Sequence, residues 1–216
     1  MNFGATDCIA SVCHAFGIHP LVFVSTDQVF DGVAGNYAES APTNPLNVYG
    51  ETKARAEEVV LKNGGRVARV ALTLGHSKDG NRSPNEHVVN LLRARQPCML
   101  YTNEFRTPIH VDDVASALVE LLSLEPPVPI LHLGGPDRVN RMELGLGIAR
   151  AYKLDQSLCT PTTSSTATAS ANSGGVRRAA DTSLDTTLAR ATLKVPPMPI
   201  SECVDTLRRT QPSHAL

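Results

Sequence analysis

Three observations predict an α/β fold in which a largely parallel sheet is covered by helices. Short apolar runs at 21–25, 66–72 and 130–133 alternate with stretches of helical periodicity, the pattern of strands joined by helical crossovers. The helical stretches carry their own start and stop signals. A chain of 216 residues, 42% of them hydrophobic, suffices for one sizeable core or two small lobes.

In chain order, residues 5–16 read as a helix stopped by Gly17, followed by the buried strand 21–25. A turn-rich loop over 31–45 holds Gly32, Gly35, Pro42 and Pro45. The next helix begins near Tyr49, runs to Leu61 and ends on Asn63-Gly64-Gly65, before the strand 66–72. Further on come a helix over 84–95, a short strand over 98–101, a helix over 111–124 and the strand 130–133. Asn140 and Glu143 have the spacing of a capping box that opens a helix reaching Tyr152. A short helix over 201–209 closes the pattern. Residues 160–175 are almost entirely Ser, Thr, Ala and Gly, too poor in apolar surface to offset their ordering entropy, and are expected to form a flexible surface loop.

Composition excludes several classes of function. A net charge of −1 with interspersed signs gives no basic footprint for nucleic acid or an anionic membrane surface. No apolar run approaches membrane-spanning length, and the first residues lack the basic start and apolar core of a signal peptide. Five scattered cysteines without a CxxC pattern read as reduced thiols of a cytoplasmic protein. The seven histidines show no metal-ligand spacing, so no metal is expected.

The chemistry concentrates in two segments. Thr26 lies at the end of an apolar strand, and Tyr49 and Lys53 follow one loop later at the start of a helix. Residues four apart share a helix face, so Lys53 can sit below Tyr49 and favour its phenolate. A tyrosine with a lowered pKa exchanges protons near neutral pH, and a threonine hydroxyl beside it can hold a substrate oxygen in line. This hydroxyl–Tyr–Lys set is the constellation of carbonyl and alcohol chemistry with a nicotinamide cofactor.

The surrounding residues resemble the extended short-chain dehydrogenase/reductases, specifically their dTDP-4-dehydrorhamnose reductase-like (RmlD-like) branch. The resemblance rests on Phe23 through Gly32, with Gln28 where the branch usually has Tyr, and on Tyr37-Ala-Glu39, Asn44 through Gly50 and Lys53 through Glu57. Phe105 through Val114, Leu131 through Gly135 and Arg178 through Leu184 match its later signatures, although Ala179 replaces the usual Pro. The resemblance implies part of an NAD(P)-binding Rossmann fold over 1–75 and a small α/β substrate-binding lobe, interleaved with returning Rossmann elements, over 76–216. It implies Thr26, Tyr49 and Lys53 as catalytic residues, Ser25, Tyr49, Lys53 and Leu72 as contacts to NADP or NAD, and Asp27, Arg106 and Arg178 as contacts to a nucleotide-sugar substrate. Members of the branch begin with a strand, a GxxGxxG turn and a helix that receives the cofactor pyrophosphate. No such segment stands before Thr26, which makes an N-terminally shortened member the expectation.

Other residues have simpler readings. Gly145 and Gly147 fall inside a helical pattern and read as a close helix contact, and Gly134-Gly135 as a turn after a strand. Asp112 and Asp113 suit the first turn of a helix, with His110 flanking it. Arg106 can pin a loop at the mouth of the site; Arg177 and Arg178 can grip a diphosphate or form a solvated pair. Three functions follow: a reductase of a nucleotide-sugar ketone, a non-catalytic regulatory subunit resembling that of methionine adenosyltransferase, or a shortened relative without activity of its own.

Overall fold

The computed structural model describes residues 2–164 and 178–211. The elements run α1 (Asn2–Ala15), β1 (Val22–Thr26), α2 (Val48–Lys62), β2 (Arg66–Val70), β3 (Thr73–Leu74), α3 (Pro84–Arg93), β4 (Cys98–Tyr101), β5 (Phe105–Arg106) and β6 (Ile109–His110). They continue as α4 (Val111–Ser123), β7 (Ile130–Leu133), β8 (Val139–Asn140), α5 (Arg141–Ala151), β9 (Cys159–Thr162), α6 (Thr187–Thr192) and α7 (Ile200–Arg209).

The central sheet is parallel, in the order β1-β2-β7, as the alternation of strands and helices predicts. Helices lie against both faces of the sheet, and Val67, Ala68, Leu131 and Leu133 are fully buried, alongside the buried polar residues Arg69 and His132. Removing Leu131 and Leu133 from water contributes on the order of 2 kcal/mol each. A second pair of parallel strands, β4 and β9, carries the smaller lobe, where Leu92, Ile148 and Leu207 from α3, α5 and α7 close the core.

Helix starts follow the local sequence. Asn47 caps α2 by accepting from the Gly50 amide at 2.9 Å. Ser83 with Glu86, and Asn140 with Glu143, form reciprocal capping boxes on α3 and α5. His110 caps α4, its Nδ1 accepting from the Asp112 amide, so the flanking role read for it is the one it plays. Gly145 lies inside α5, where a Cβ would come within 2.3 Å of the Leu100 side chain, a close contact as read from the sequence, but Gly147 is not at one: a Cβ there would meet nothing within 4 Å.

The structure corrects two expectations about extent. The strand read as 66–72 leaves the sheet after Val70, because Thr73 and Leu74 turn to pair with β6. The start of the stretch 160–175, expected as a flexible loop, is a strand. Thr160, Pro161 and Thr162 belong to β9, held by the edge of β4 in the register Met99 with Thr160 through Tyr101 with Thr162. Ser164 is tied to Asn103 as well. The rest of that stretch, 165–175, and Arg177 lie outside the described residues.

Candidate active site

Ligands of open parallel sheets bind beyond the carboxyl ends of the strands, and here that end of β1 opens on a cavity of about 420 Å³. Its wall includes Thr26, Asp27, Asn47, Leu72, Arg106 and Arg178. Thr26 ends β1, and its hydroxyl accepts from the Gln28 amide at 3.3 Å, which starts a 3-10 turn at Asp27–Val29. Asp31 then organises the loop, accepting from the Val33 amide at 3.0 Å and from the Tyr37 hydroxyl, while Tyr37 stacks on Phe30 at 4.2 Å. The loop thereby delivers Leu46 and Asn47, and with them the start of α2, to the cavity rim.

Tyr49 and Lys53 sit on the first turns of α2, just outside that rim. Tyr49 is 47% exposed, and among the described residues its hydroxyl has no hydrogen-bond partner. Lys53 is turned toward β1: its ammonium donates to the Val24 carbonyl at 2.5 Å and lies 4.2 Å from the centre of the Phe23 ring. Burial lowers the Lys53 pKa below its usual value. Thr26 ends β1, whereas the Lys53 ammonium is engaged farther back along the strand, at Val24 and Phe23, and Tyr49 stays half exposed on the first turn of α2. Ser25 faces elsewhere: its hydroxyl donates to the buried Glu57 carboxylate.

Charged residues adjoin Thr26 in the same cavity. Asp27 is buried, accepts from the Thr182 hydroxyl at 2.8 Å and stands 3.6 Å from Arg106; burial pushes its pKa up against the pull of that guanidinium. Arg106 donates to the carbonyls of Phe105, Ala179 and Ala180, so it pins the returning segment at the cavity mouth. Arg178 holds the fully buried Glu104 through two bonds, at 2.6 and 2.9 Å. Burial alone would raise the Glu104 pKa, but Arg178 and its neighbours outweigh it and draw it below the usual range. Glu104, Arg141 and Thr182 also belong to the site and were not singled out by the sequence. Arg141 follows the cap residue of α5 and reads there only as helix start; nothing local marks Glu104. Among the described residues no cluster of potential ligands could hold a metal ion.

The profile of the RmlD substrate binding domain family matches residues 1–210. The chain belongs to that family. Over 172 residues this RmlD-type chain is 31% identical to methionine adenosyltransferase 2 subunit beta of Rattus norvegicus, covering 76% of the chain and 51% of the relative. Over 127 residues it is 35% identical to the dTDP-4-keto-6-deoxy-D-glucose reductase of Streptomyces niveus, covering 56% and 42%. The chain spans about half the length of these curated relatives. Its fold matches that of a dTDP-4-dehydrorhamnose reductase from Bacillus anthracis in complex with NADP, with TM-score 0.82 and 17% identity over 96% of this chain and 70% of that one. A hypothetical dTDP-4-dehydrorhamnose reductase from Sulfolobus tokodaii matches with TM-score 0.79 and 27% identity, over 91% and 66%. The fold expected from the alternation of strands and helices and the family resemblance therefore both hold.

Proposed function

We propose that this chain supplies the substrate-binding and proton-transfer groups of an NAD(P)-dependent reductase of a nucleotide-sugar ketone. One observation carries the reading: a single cavity at the carboxyl end of β1 is lined by Thr26 together with Arg106, Arg141 and Arg178, and its lining residue Asn47 caps the helix that bears Tyr49 and Lys53. That lining suits a carbonyl oxygen beside Thr26 and phosphates beside the arginines. Tyr49, Lys53 and Leu72 would border NADP or NAD, with Ser25 held beneath them by Glu57 and contributing no side-chain contact, and the half-exposed Tyr49 hydroxyl fits such a neighbour. The cofactor, when bound, supplies the hydride. Tyr49 delivers the proton from its Oη to the substrate oxygen. Thr26 donates a hydrogen bond to that oxygen and orients it, Lys53 keeps a positive charge on the Tyr49 face of α2, and Asp27, Arg106 and Arg178 shape the substrate wall. Calorimetric titration with NADPH and an assay of NADPH consumption with a nucleotide-sugar ketone test the reading. No binding at millimolar cofactor would sink it for this polypeptide.

A second reading is favoured by the longer match to methionine adenosyltransferase 2 subunit beta. In it the chain binds a methionine adenosyltransferase catalytic subunit and turns nothing over. Co-purification with that enzyme, unaffected by Tyr49→Phe, supports this role. No described helix is long and apolar enough to cross a membrane, and five free cysteines fit a reducing, cytoplasmic compartment.

A further inference from the structure

Cys98, Cys159 and Cys203 are buried in the core of the smaller lobe, and the first two are register partners. Cys98 opens β4, Cys159 opens β9, and the parallel ladder sets them side by side. Side chains of register partners leave a sheet on the same face. Here that face is the core: Cys98 is fully buried and Cys159 is 6% exposed, whereas the next pair, Met99 and Thr160, is exposed. Partners on neighbouring strands stand about 4.8 Å apart, within the roughly 4.4–6.8 Å that a disulfide spans between Cα atoms. Burial pushes the Cys98 thiol up to about 11, and Cys159 is close enough to add to that rise.

The pair sits where a covalent bond has work to do. β4 leads on to Glu104 and Arg106, and β9 leads toward Arg178, which returns to bind Glu104. The two strands are joined by backbone hydrogen bonds, extended by the Thr102 amide donating to the Thr162 carbonyl at 2.9 Å and by Asn103 with Ser164. Pro161 has no N–H to give to this ladder, which weakens the hold on β9. A slip of one residue would turn Cys159 to the outer face, so a bond between the two sulfurs fixes the register.

We infer that Cys98 and Cys159 are a redox modification site: a hydroperoxide converts the two thiols into a disulfide that locks β9 onto β4, and a thiol reductant reopens it. The more exposed sulfur, that of Cys159, reacts first. It attacks one peroxide oxygen, the O–O bond breaks, and Cys159 becomes a sulfenic acid as water leaves from hydrogen peroxide. The Cys98 sulfur then attacks the sulfenic sulfur, the S–S bond forms and the hydroxyl departs with the Cys98 proton as a second water. The two thiols are oxidised by two electrons and the peroxide is reduced by two. A dithiol reverses the change, restoring both thiols and becoming a disulfide itself. The lock owes nothing to the nucleotide-sugar reading, and its test needs neither cofactor nor substrate.

The experiment treats the folded full chain, as the variant C8S/C13S, with hydrogen peroxide; those substitutions remove the two thiols of α1, one exposed and one half-buried. Free thiols are then alkylated under denaturing conditions, and the chain is digested without reduction for mass spectrometry. A fragment joining Cys98 to Cys159 appears, while Cys203 is alkylated. The oxidised chain melts about 4 °C or more above the reduced one, the gain expected when a cross-link restricts the unfolded chain. Dithiothreitol removes both the fragment and the gain. Adding C159A to the same background, with Cys98 and Cys203 retained, forms no cross-link and shows no gain. Mapping of the unaltered pair decides the matter even where that variant is unstable. The lock is refuted if Cys98 and Cys159 both remain alkylatable after excess peroxide, if Cys159 ends as a sulfinic acid without a cross-link, or if either sulfur pairs with Cys203. A Cys98–Cys159 bond that leaves the melting temperature unchanged refutes it as well.

Discussion

Arg69 and Glu57 form an ion pair sealed beneath the carboxyl end of the central sheet, with Nη2 2.8 Å from Oε2 and Nε 3.1 Å from the same oxygen. Both side chains are less than 5% exposed. Ser25 donates to the same carboxylate, and Arg69 reaches the Glu39 carbonyl at 3.2 Å. The pair therefore ties β1, β2, α2 and the loop over 31–45 together directly behind Thr26. Removing one partner strands a buried charge, so Glu57→Ala should cost about 3–5 kcal/mol of stability. Urea denaturation of the variant checks this. The double variant Glu57→Met with Arg69→Met should recover most of the loss, because no unpaired charge is left behind.

His132 extends this network and makes it sensitive to pH. Its ring is fully buried, with Nε2 3.4 Å from Arg69, and burial followed by that cation lowers its pKa from 6.5 to about 4. The unfolded chain then binds more protons than the folded one between those values, so His132 contributes stability that is complete above about pH 6.5 and lost as pH falls toward 4. The full difference is on the order of 3 kcal/mol. Glu86 acts in the same direction at lower pH. Burial alone would raise its pKa, but hydrogen bonds from Ser77 and Ser83 bring it to about 2, so its contribution disappears as pH falls from 4.5 toward 2. Thermal melts of wild type and His132→Gln across pH 4 to 8 should differ in slope within the His132 window and run parallel above it.

The parts of this molecule legible in the sequence are those set by local chemistry. The capping box of Asn140 and Glu143 marks a helix because both partners lie within one turn. The strand Cys98–Tyr101 stands out as a short apolar run. What stayed hidden depends on partners far along the chain. Thr160–Thr162 has the composition of a loop and becomes a strand because β4 presents a free edge to it. Residues Thr187–Thr192 form one and a half turns whose Ala189 packs under β7, too short to show a period. Thr26, Tyr49 and Lys53 could be found because their spacing in sequence reflects a strand end and a helix face. Arg141 and Glu104 could not, since their significance is a meeting across 37 positions that no local pattern encodes.

Gly50 couples the fold to the site. A Cβ there would come within 2.2 Å of the Gln28 carbonyl oxygen and 2.8 Å of Pro45 Cβ. The absence of a side chain lets the first turn of α2 lie against the turn that follows Thr26. Gly50→Ala should push α2 outward and cost about 1–3 kcal/mol, as overpacking does, despite alanine's better helix propensity. A fall in melting temperature checks the cost. Any reductase activity of the protein should fall further than stability alone explains, because Tyr49 moves with the helix relative to Thr26.

Tyr49 separates chemistry from structure. Its hydroxyl has no hydrogen-bond partner among the described residues and the residue is half exposed, so Tyr49→Phe should leave the melting temperature within about 1 °C of wild type, as expected of a surface substitution. If Tyr49 transfers the proton, the same change should lower kcat by about 10²–10⁴-fold with little effect on KM, since the lost group acts on the reacting oxygen and not on ground-state binding. Thr26→Val should lower kcat as well, by removing the hydroxyl that orients that oxygen, and it should also disturb the 3-10 turn that Thr26 caps. Steady-state kinetics of both variants with a nucleotide-sugar ketone and NADPH provide the measurement. A Tyr49→Phe variant with unchanged kcat would exclude Tyr49 as the proton donor, leaving the cavity a binding site whose chemistry lies elsewhere.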